Sequence, residues 1–284
     1  MIDLHTHSTA SDGTCTPTEI VTRSQHLKLT AVALTDHDTV RGCSEFMEAG
    51  GHSSTLTIPG VEIACSWYQT SIHIVGLFIK PDTPELASML KRIRAARDNR
   101  NTELLQRLKN LGLQVSPEEL QAAAGGGVPG RPHIARVLVS KGYCSTLRDA
   151  FNKYIGRTSP AYVRRYLPLP AEGIATIKRA AGVTVWAHPL GGQTTANAAR
   201  IRQVAKQLKS QGLDGMEVRY CDYTPHQVNI AEKIAGELDL LRSGGSDFHG
   251  VNMAGVKLGK GYGDLNVPDD FLQPLQERAA RYAH

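Results

Sequence analysis

Short apolar, β-branched runs recur along this chain and are separated by helical patterns or loops, which constrains its fold more than any other feature. The runs are Ile2–Leu4, Ala31–Leu34, Thr55–Ile58, Val61–Ala64, Ile72–Ile79, Val183–Trp186, Gly215–Val218 and Leu240–Arg242. Strands that alternate with helices form a parallel sheet, because each helix carries the chain back across the sheet. The sequence therefore predicts an α/β fold whose sheet is open or closed into a barrel.

The middle of the chain lacks such runs. Residues 85–111 show the apolar spacing of one or two helices, and no convincing strand pattern appears between about 97 and 162. Ser116-Pro117-Glu118-Glu119 predicts a helix start, with serine as N-cap, proline at the first helical position and glutamate at the capping-box position. We therefore expect a helical, substrate-binding insertion at 97–165, between two parts of the main domain at 1–96 and 166–284.

Charge is unevenly distributed. Residues 91–165 hold 15 Lys/Arg against 5 Asp/Glu, a net of +10, whereas the remainder holds 17 against 22, a net of −5. An acidic body with a basic middle suggests a metal site in the first and an anion-binding surface in the second. The alternative is an arginine-rich, solvated helix face.

Composition excludes several classes of protein. The apolar fraction of 41% and the charged fraction of 21% are ordinary for a globular protein. No basic, apolar leader opens the sequence and no run reaches 18 apolar residues, so we expect neither a signal peptide nor a membrane span. Five scattered cysteines without a C-x-x-C pair argue against disulfides and thiolate zinc sites, and favour a cytoplasmic protein. No obligate protein partner is evident.

Histidines and carboxylates gather at the ends or starts of the predicted strands. They include His5, His7, Asp36, His37, Asp38, Glu62, His73, His188, Asp247 and His249. Loops that follow parallel strands converge on one face of the sheet, which brings such residues together. His5 and His7 point to the same side of an extended segment and can bind one ion. Each motif alone is weak evidence, but their joint occurrence predicts a metal site.

A family resemblance follows from the order of these motifs. They are Asp3-Leu-His5-Thr-His7-Ser with Ser11-Asp12-Gly13-Thr14, Leu34-Thr-Asp36-His37-Asp38-Thr39, Pro59-Gly60-Val61-Glu62-Ile63, His73-Ile-Val-Gly76, His188-Pro189 and Gly245-Ser246-Asp247-Phe248-His249. In this order the chain resembles the PHP-domain, amidohydrolase-like metal-dependent phosphoesterases. The resemblance implies a distorted (β/α)7 barrel and up to three divalent metals. Imidazole and carboxylate ligands suit Mn²⁺, which we expect, with Zn²⁺ and Fe²⁺ as alternatives.

The resemblance also implies a ligand set for each ion. One ion would take His5, His7, Glu62 and Asp247, a second would share Glu62 and add His73 and His188, and a third would take Asp12, His37 and His249. Several family members have a histidine at the position of Asp12. His188, Asp12 and His249 are expected to take part in catalysis as well. Asp36 and Asp38 are expected to hydrogen-bond the neighbouring loop or to orient a ligand histidine, and His26, His52, His226 and His284 to lie on the surface.

Within the family, Gly130–Arg136 and Ala150–Ile155 resemble a bacterial subgroup of 3′,5′-nucleoside bisphosphate phosphatases. Arg131, next to a glycine-rich turn and a predicted helix start, is a plausible fork for phosphate. The candidate substrate-binding residues are Asp12, His37, Arg131, His133, Asn152, Lys153 and Arg157. Tyr143, Phe151, Tyr154 or Tyr162 could stack on a base, with core packing as the alternative for each.

The resulting functional expectation is hydrolysis of the 3′-phosphate of a 3′,5′-bisphosphorylated nucleoside, leaving the 5′-monophosphate. A metal-bound hydroxide would attack phosphorus, since coordination lowers the pKa of water to about 7. The partner is then a small nucleotide. Three alternatives remain open: a 5′-to-3′ exoribonuclease acting on short RNA ends, a histidinol-phosphate phosphatase, and a non-catalytic nucleotide-binding module.

Overall fold

The computed structural model describes residues 1–68, 70–191 and 197–283. The chain divides into two compact units. The first, the barrel unit, comprises residues 1–89 and 168–284, and the second, the helical unit, comprises residues 90–167. The predicted insertion at 97–165 falls inside the helical unit.

In the residues that the structure describes, the barrel unit is built on seven strands that neighbour one another in chain order. They are β1 (Ile2–Asp3), β2 (Ala31–Leu34), β3 (Leu56–Trp67), β4 (Thr70–Leu77), β5 (Val183–Trp186), β6 (Gly215–Tyr220) and β7 (Leu241–Gly245). Residues after β1 pair with β7 and with the segment after it, through Leu4 N–H to the Gly244 carbonyl at 3.1 Å and a parallel bridge between Thr6 and Phe248. The sheet thus closes almost completely, which confirms the predicted barrel.

One strand differs from the expected parallel arrangement. β4 runs antiparallel to both β3 and β5, whereas the other neighbouring pairs are parallel. The reason is the short connection before it, since Trp67 pairs directly with Thr70. A parallel pairing needs a crossover of a dozen or more residues, so a two-residue connection permits only a hairpin.

Helices flank the strands of the barrel unit and form the helical unit. They are α1 (Pro17–His26), α2 (Cys43–Gly50), α3 (Pro84–Asn110), α4 (Pro117–Ala123), α5 (Arg131–Ser140), α6 (Leu147–Ala150), α7 (Pro170–Arg179), α8 (Ala198–Ser210), α9 (Pro225–Glu237) and α10 (Leu272–Tyr282). The predicted start of α4 is confirmed, because Ser116 and Glu119 cap each other's backbone N–H groups. No helix in the described residues is long and apolar enough to cross a membrane.

Each unit has its own apolar core. In the barrel unit, Ile20, Val32, Leu34 and Phe46 are fully buried together. In the helical unit, side chains from α3 and α5, such as Leu104, Leu108, Ile134 and Leu138, form a second core. Residues 90–167, all of them described, contain no strand, which includes the range from about 97 to 162 where none was predicted. His26, His52 and His226 are exposed, while His284 lies outside the described residues.

Candidate metal centre

The barrel brings all nine predicted metal ligands to the end of the sheet where the parallel strands finish. His5 and His7 follow β1, Asp12 lies in the loop before α1, His37 follows β2, Glu62 lies in β3, His73 in β4, His188 follows β5, and Asp247 and His249 follow β7. Three groups have their donor atoms within 4.8 Å of one another: His7 with Asp12, His37 and His249; His5 with His7 and Asp247; and His37 with Glu62 and His73.

Glu62 lies at the middle of this constellation and is completely buried. Its Oε1 lies 2.8 Å from His73 Nδ1 and 3.1 Å from His188 Nε2. Its Oε2 lies 2.7 Å from His37 Nδ1 and 3.4 Å from the Nε2 atoms of both His5 and His7. One carboxylate therefore faces imidazoles from four segments of the barrel, which is the geometry required of a bridging ligand.

The donor set fits divalent cations. Glu62 Oε2 and Asp247 Oδ1 are buried and make no aligned hydrogen bond within the described part of the chain. His5 Nε2 and His7 Nε2 lie 3.1 Å apart, and Asp247 Oδ1 is 3.4 Å and 3.0 Å from them. Buried polar atoms almost always have partners, so two buried carboxylate oxygens that lack an aligned partner and face imidazole nitrogens indicate a place for a cation.

The contacts of His37 and His188 refine the expected grouping. His188 contacts Glu62, as the second predicted ligand set requires. His37 contacts Glu62 as well, and its donor atom also lies within reach of Asp12 and His249. His37 thus stands between the second and third predicted ligand sets. The assignment of ligands to individual ions remains a proposal.

The charges of the site are strongly coupled. Burial alone would raise the pKa of Glu62, but the imidazoles of His37, His73 and His5 hold it well below its usual range. Burial opposes charge on His37 too, yet Glu62 and Asp12 raise its pKa to about 10. In the same way, Asp247 and Asp12 outweigh burial and raise the pKa of His249 to about 9. Burial, helped by His249 and His37, lowers the pKa of His7 to about 3.

These shifts predict that metal binding releases protons. His37 and His249 hold a proton below pH values of about 10 and about 9, and a cation must displace it. We expect Mn²⁺ affinity to rise between pH 7 and 9, about tenfold per pH unit for each proton released. Calorimetric titration with Mn²⁺ in two buffers of different ionisation enthalpy measures the protons directly. An affinity independent of pH, without proton release, would contradict this charge assignment.

Two further aspartates hold the loops that carry the ligands. Asp36 accepts hydrogen bonds from the Ser8 N–H at 2.8 Å and the Ser11 hydroxyl at 2.6 Å, which fixes the loop between His7 and Asp12. Asp38 accepts a bond from the Ala64 N–H in β3. Both placements agree with the supporting role predicted for them. The same loop requires glycine at position 13, because a Cβ there would lie only 2.2 Å from the His7 carbonyl oxygen.

The helical unit places Arg131 among aromatic and basic groups. Arg131 begins α5, and its guanidinium lies over the rings of Phe151 and Tyr162, at 5.7 Å and 5.6 Å from their centroids. Its Nη1 donates to the Ile155 carbonyl at 3.4 Å. Arg157 is close enough to lower the pKa of Arg131, after the larger effect of burial. This guanidinium is thus held in place by contacts that leave it cationic.

Arg100 lies near Arg131 and is only 7% exposed. Burial, with the charges of Arg165, Arg97 and Arg131, lowers the pKa of Arg100 to about 9. Like charges at partly dry positions repel one another, and an anion in their midst relieves that repulsion. The helical unit therefore contains an arginine cluster, Arg97, Arg100, Arg131 and Arg165, with the chemistry of a phosphate site.

The other predicted substrate-binding residues lie in varied environments. His133 is 2% exposed, and its Nδ1 accepts the Gly130 N–H at 2.9 Å, which caps α5. Lys153 is exposed and pairs with Asp149 at 2.8 Å, and Asn152 is also exposed. Tyr143, Phe151 and Tyr154 pack against the core of the helical unit, as the alternative reading of these aromatics proposed. A substrate contact for any of these residues stays a prediction.

Sequence reasoning missed several residues of both sites. Arg97, Arg100 and Arg165 were not singled out, because an arginine-rich helical stretch gives no indication of which side chains converge. Glu217 and Tyr220 in β6 were also missed, although both touch predicted ligands. A lone carboxylate inside the apolar run Gly215–Val218 was the available signal for Glu217.

Comparison with known proteins agrees with this geometry. Residues 3–154 match the PHP domain family. A 5′-3′ exoribonuclease of Haemophilus influenzae is 37% identical over 97% of this chain and 98% of its own length. A 3′,5′-nucleoside bisphosphate phosphatase of Chromobacterium violaceum is 32% identical over 91% of this chain and 90% of its own.

A solved structure shares the whole fold. It is an amidohydrolase from Chromobacterium violaceum, with bound sulfate and no metal, at a TM-score of 0.84 and 30% identity over 98% of this chain and 96% of that one. The family match covers more than half of the chain and includes six of the predicted ligands that converge at the end of the barrel: His5, His7, Asp12, His37, Glu62 and His73. The chain belongs to the PHP domain family of metal-dependent phosphoesterases.

Proposed function

We propose that this phosphoesterase removes the 3′-phosphate from 3′,5′-bisphosphorylated nucleosides and leaves the nucleoside 5′-monophosphate. The observation that carries the proposal is the presence of two anion-attracting features in one chain: the metal centre and the arginine cluster. A substrate with two phosphates offers an anion of the kind that each feature attracts. The bisphosphate phosphatase activity of the Chromobacterium violaceum relative supports this assignment, as does the sulfate bound in the similar structure.

The chain's own residues supply orientation and charge for the reaction. Bound divalent ions would act as Lewis acids and lower the pKa of water to about 7. Glu62, His5, His7, His73 and Asp247 are buried or half-buried and would hold those ions at fixed positions. The arginine cluster would bind the phosphate that does not react, so that remote binding energy orients the scissile one.

The proton for the departing 3′-oxygen has candidate carriers at the edge of the centre. His249 Nε2 lies 3.3 Å from Asp12 Oδ1, and these side chains are 14% and 19% exposed. His188 is 26% exposed, whereas His5 and His7 are fully buried. Residues that reach solvent can exchange protons between turnovers. His37 and His73 are similarly exposed, at 21% and 25%. We propose Asp12, His188 and His249 as the proton carriers, in addition to metal binding.

A second candidate function is 5′-to-3′ exoribonuclease activity on short RNA. The observation that favours it is the 37% identity to the Haemophilus influenzae exoribonuclease over nearly the full length of both proteins. The chemistry at phosphorus is related, since both reactions are hydrolyses of a phosphate ester. They differ in whether the reacting ester is a monoester or a diester, which assays distinguish.

The test is a comparison of kcat/KM across substrates with Mn²⁺ added. The panel contains a nucleoside 3′,5′-bisphosphate, the 3′- and 5′-monophosphates, histidinol phosphate and a short 5′-phosphorylated oligoribonucleotide. We expect the bisphosphate to be the best substrate, at least about tenfold above the 3′-monophosphate, because one charge-assisted contact contributes 1.5 kcal/mol or more. Faster release of mononucleotides from the oligoribonucleotide would instead establish the exoribonuclease. No turnover of any substrate would favour a binding module.

A further inference from the structure

Strand β6 contributes no predicted metal ligand, yet two of its side chains contact ligands from other strands. Glu217 is 1% exposed. Its Oε1 accepts a hydrogen bond from His5 Nδ1–H at 2.8 Å, and its Oε2 accepts the His188 backbone N–H at 2.6 Å. A single carboxylate therefore connects the ligand segment after β1 to the one after β5.

Tyr220 contacts a third ligand. Its hydroxyl donates to Asp247 Oδ2 at 2.8 Å, and the residue is 9% exposed. The other oxygen, Oδ1, lies 3.0 Å from His7 Nε2 and makes no aligned hydrogen bond within the described residues. The tyrosine thus fixes the carboxylate with one oxygen engaged and the other directed at the metal centre.

A β-bulge explains how one strand presents both side chains to the same side. Residues three apart point to opposite faces of a regular strand. In β6 the register with β7 shifts, so that Glu217 pairs with Ser243 and Arg219 with Gly244, which leaves Val218 as the extra residue. The bulge reverses the alternation after Glu217 and turns Tyr220 toward the ligands. Bulges beside active sites commonly redirect a side chain in this way.

We propose that Glu217 and Tyr220 are positioning residues of the metal centre. Glu217 selects the His5 tautomer that carries its proton on Nδ1, which leaves the Nε2 lone pair for a cation. Its second oxygen holds the backbone of His188, whose φ of +34° a non-glycine residue rarely adopts. Tyr220 sets the rotamer of Asp247. The inference rests on the proposed metal centre and does not depend on which phosphate ester is the substrate.

Asp214 provides a matched control at the opposite end of the same strand. It is a buried carboxylate directly before β6, 3% exposed. It accepts hydrogen bonds from Thr184 at 2.8 Å, Arg278 at 2.8 Å and Tyr282 at 2.6 Å, and none of these is a predicted ligand. Asp214→Asn therefore removes a buried carboxylate of structural importance without touching the metal centre.

The experiment measures Mn²⁺ binding to metal-stripped wild type, Glu217→Gln, Tyr220→Phe and Asp214→Asn by competition with a chelator. The glutamine carbonyl accepts only one of the two hydrogen bonds that the carboxylate accepts. We expect one class of sites to weaken about 10- to 100-fold in Glu217→Gln and about tenfold in Tyr220→Phe, as for other groups that orient ligands. Asp214→Asn should bind Mn²⁺ like wild type, even if it unfolds at a lower temperature.

Several outcomes would overturn the inference. Wild-type affinity in both β6 variants would show that Glu217 and Tyr220 do not position ligands. Equal weakening in Asp214→Asn would show that general destabilisation, not ligand orientation, causes the effect. The isosteric Tyr220→Phe keeps the test decisive if Glu217→Gln does not fold. A wild-type protein that binds no Mn²⁺ would overturn the metal centre itself, and this role with it.

Discussion

Glu62→Gln should reduce kcat/KM by about 10³-fold or more, and the purified variant should hold less divalent metal than wild type. The glutamine keeps the shape of the side chain but removes the charge that faces His5, His7, His37, His73 and His188. A bridging carboxylate supports metal ions that supply several kcal/mol of transition-state stabilisation, and each 1.36 kcal/mol is about tenfold in rate. Elemental analysis of the metal content and steady-state kinetics measure both effects.

Asp214→Asn is the control for this prediction as well. Asp214 is a buried carboxylate whose hydrogen-bond partners Thr184 and Arg278 lie outside the metal centre, so its loss should lower stability and leave kcat/KM near the wild-type value. If Glu62→Gln retains activity within tenfold of wild type, Glu62 is not the bridging ligand. If the variant loses activity but keeps the wild-type metal content, Glu62 acts in the reaction and is not needed to bind the metal.

Arg131→Ala should reduce kcat/KM for a 3′,5′-bisphosphate about 10- to 200-fold and change the value for a 3′-monophosphate much less. This loss in kcat/KM corresponds to a binding free energy of about 1.5–3 kcal/mol, which is typical of one charge-assisted hydrogen bond. Phe151 and Tyr162 hold the guanidinium in place, so little ordering is needed when phosphate binds. Arg131→Lys should recover only part of the loss, because an ammonium group lacks the planar fork.

Arg107→Ala is the matched variant, since Arg107 lies in the same unit but is 44% exposed, pairs with Glu103 and reaches Tyr162 only at its backbone carbonyl. A diffuse basic surface would give small and similar losses for both arginines, fading at high salt. Equal weakening of both substrates by both variants would remove the phosphate-specific role of Arg131. The proposed substrate would then lose its main support, while the assignment to metal-dependent phosphoesterases would stand.

The convergence of the predicted metal ligands could be anticipated because they are tied to local patterns. β2 and β5 lie where the apolar runs predicted them, at Ala31–Leu34 and Val183–Trp186, and ligands follow both strands. Residues at strand ends converge whenever the sheet closes, so sequence position was enough to expect His37 and His188 at the same end of the barrel, although in different ligand sets. Glu62 was recognised through its motif rather than through any rule of spacing.

Other features depend on geometry that the sequence does not display. The bulge in β6 that turns Tyr220 toward Asp247 has no composition signal, because the strand contains neither proline nor an internal glycine. The arginine cluster contains residues far apart in the chain, such as Arg100 and Arg165. The positive net charge of the segment does not indicate which arginines lie close together. The antiparallel pairing of β3 and β4 could not be predicted, because their apolar runs resemble the strands of a parallel sheet.

The most direct test of the central claim is product analysis after Mn²⁺-loaded enzyme acts on adenosine 3′,5′-bisphosphate in ¹⁸O-labelled water. Attack of water on the 3′-phosphorus predicts adenosine 5′-monophosphate without label and inorganic phosphate that carries one ¹⁸O atom from the solvent. Mass spectrometry of both products gives the answer. Release of adenosine 3′-monophosphate, or label in the nucleoside product, would contradict the proposed reaction.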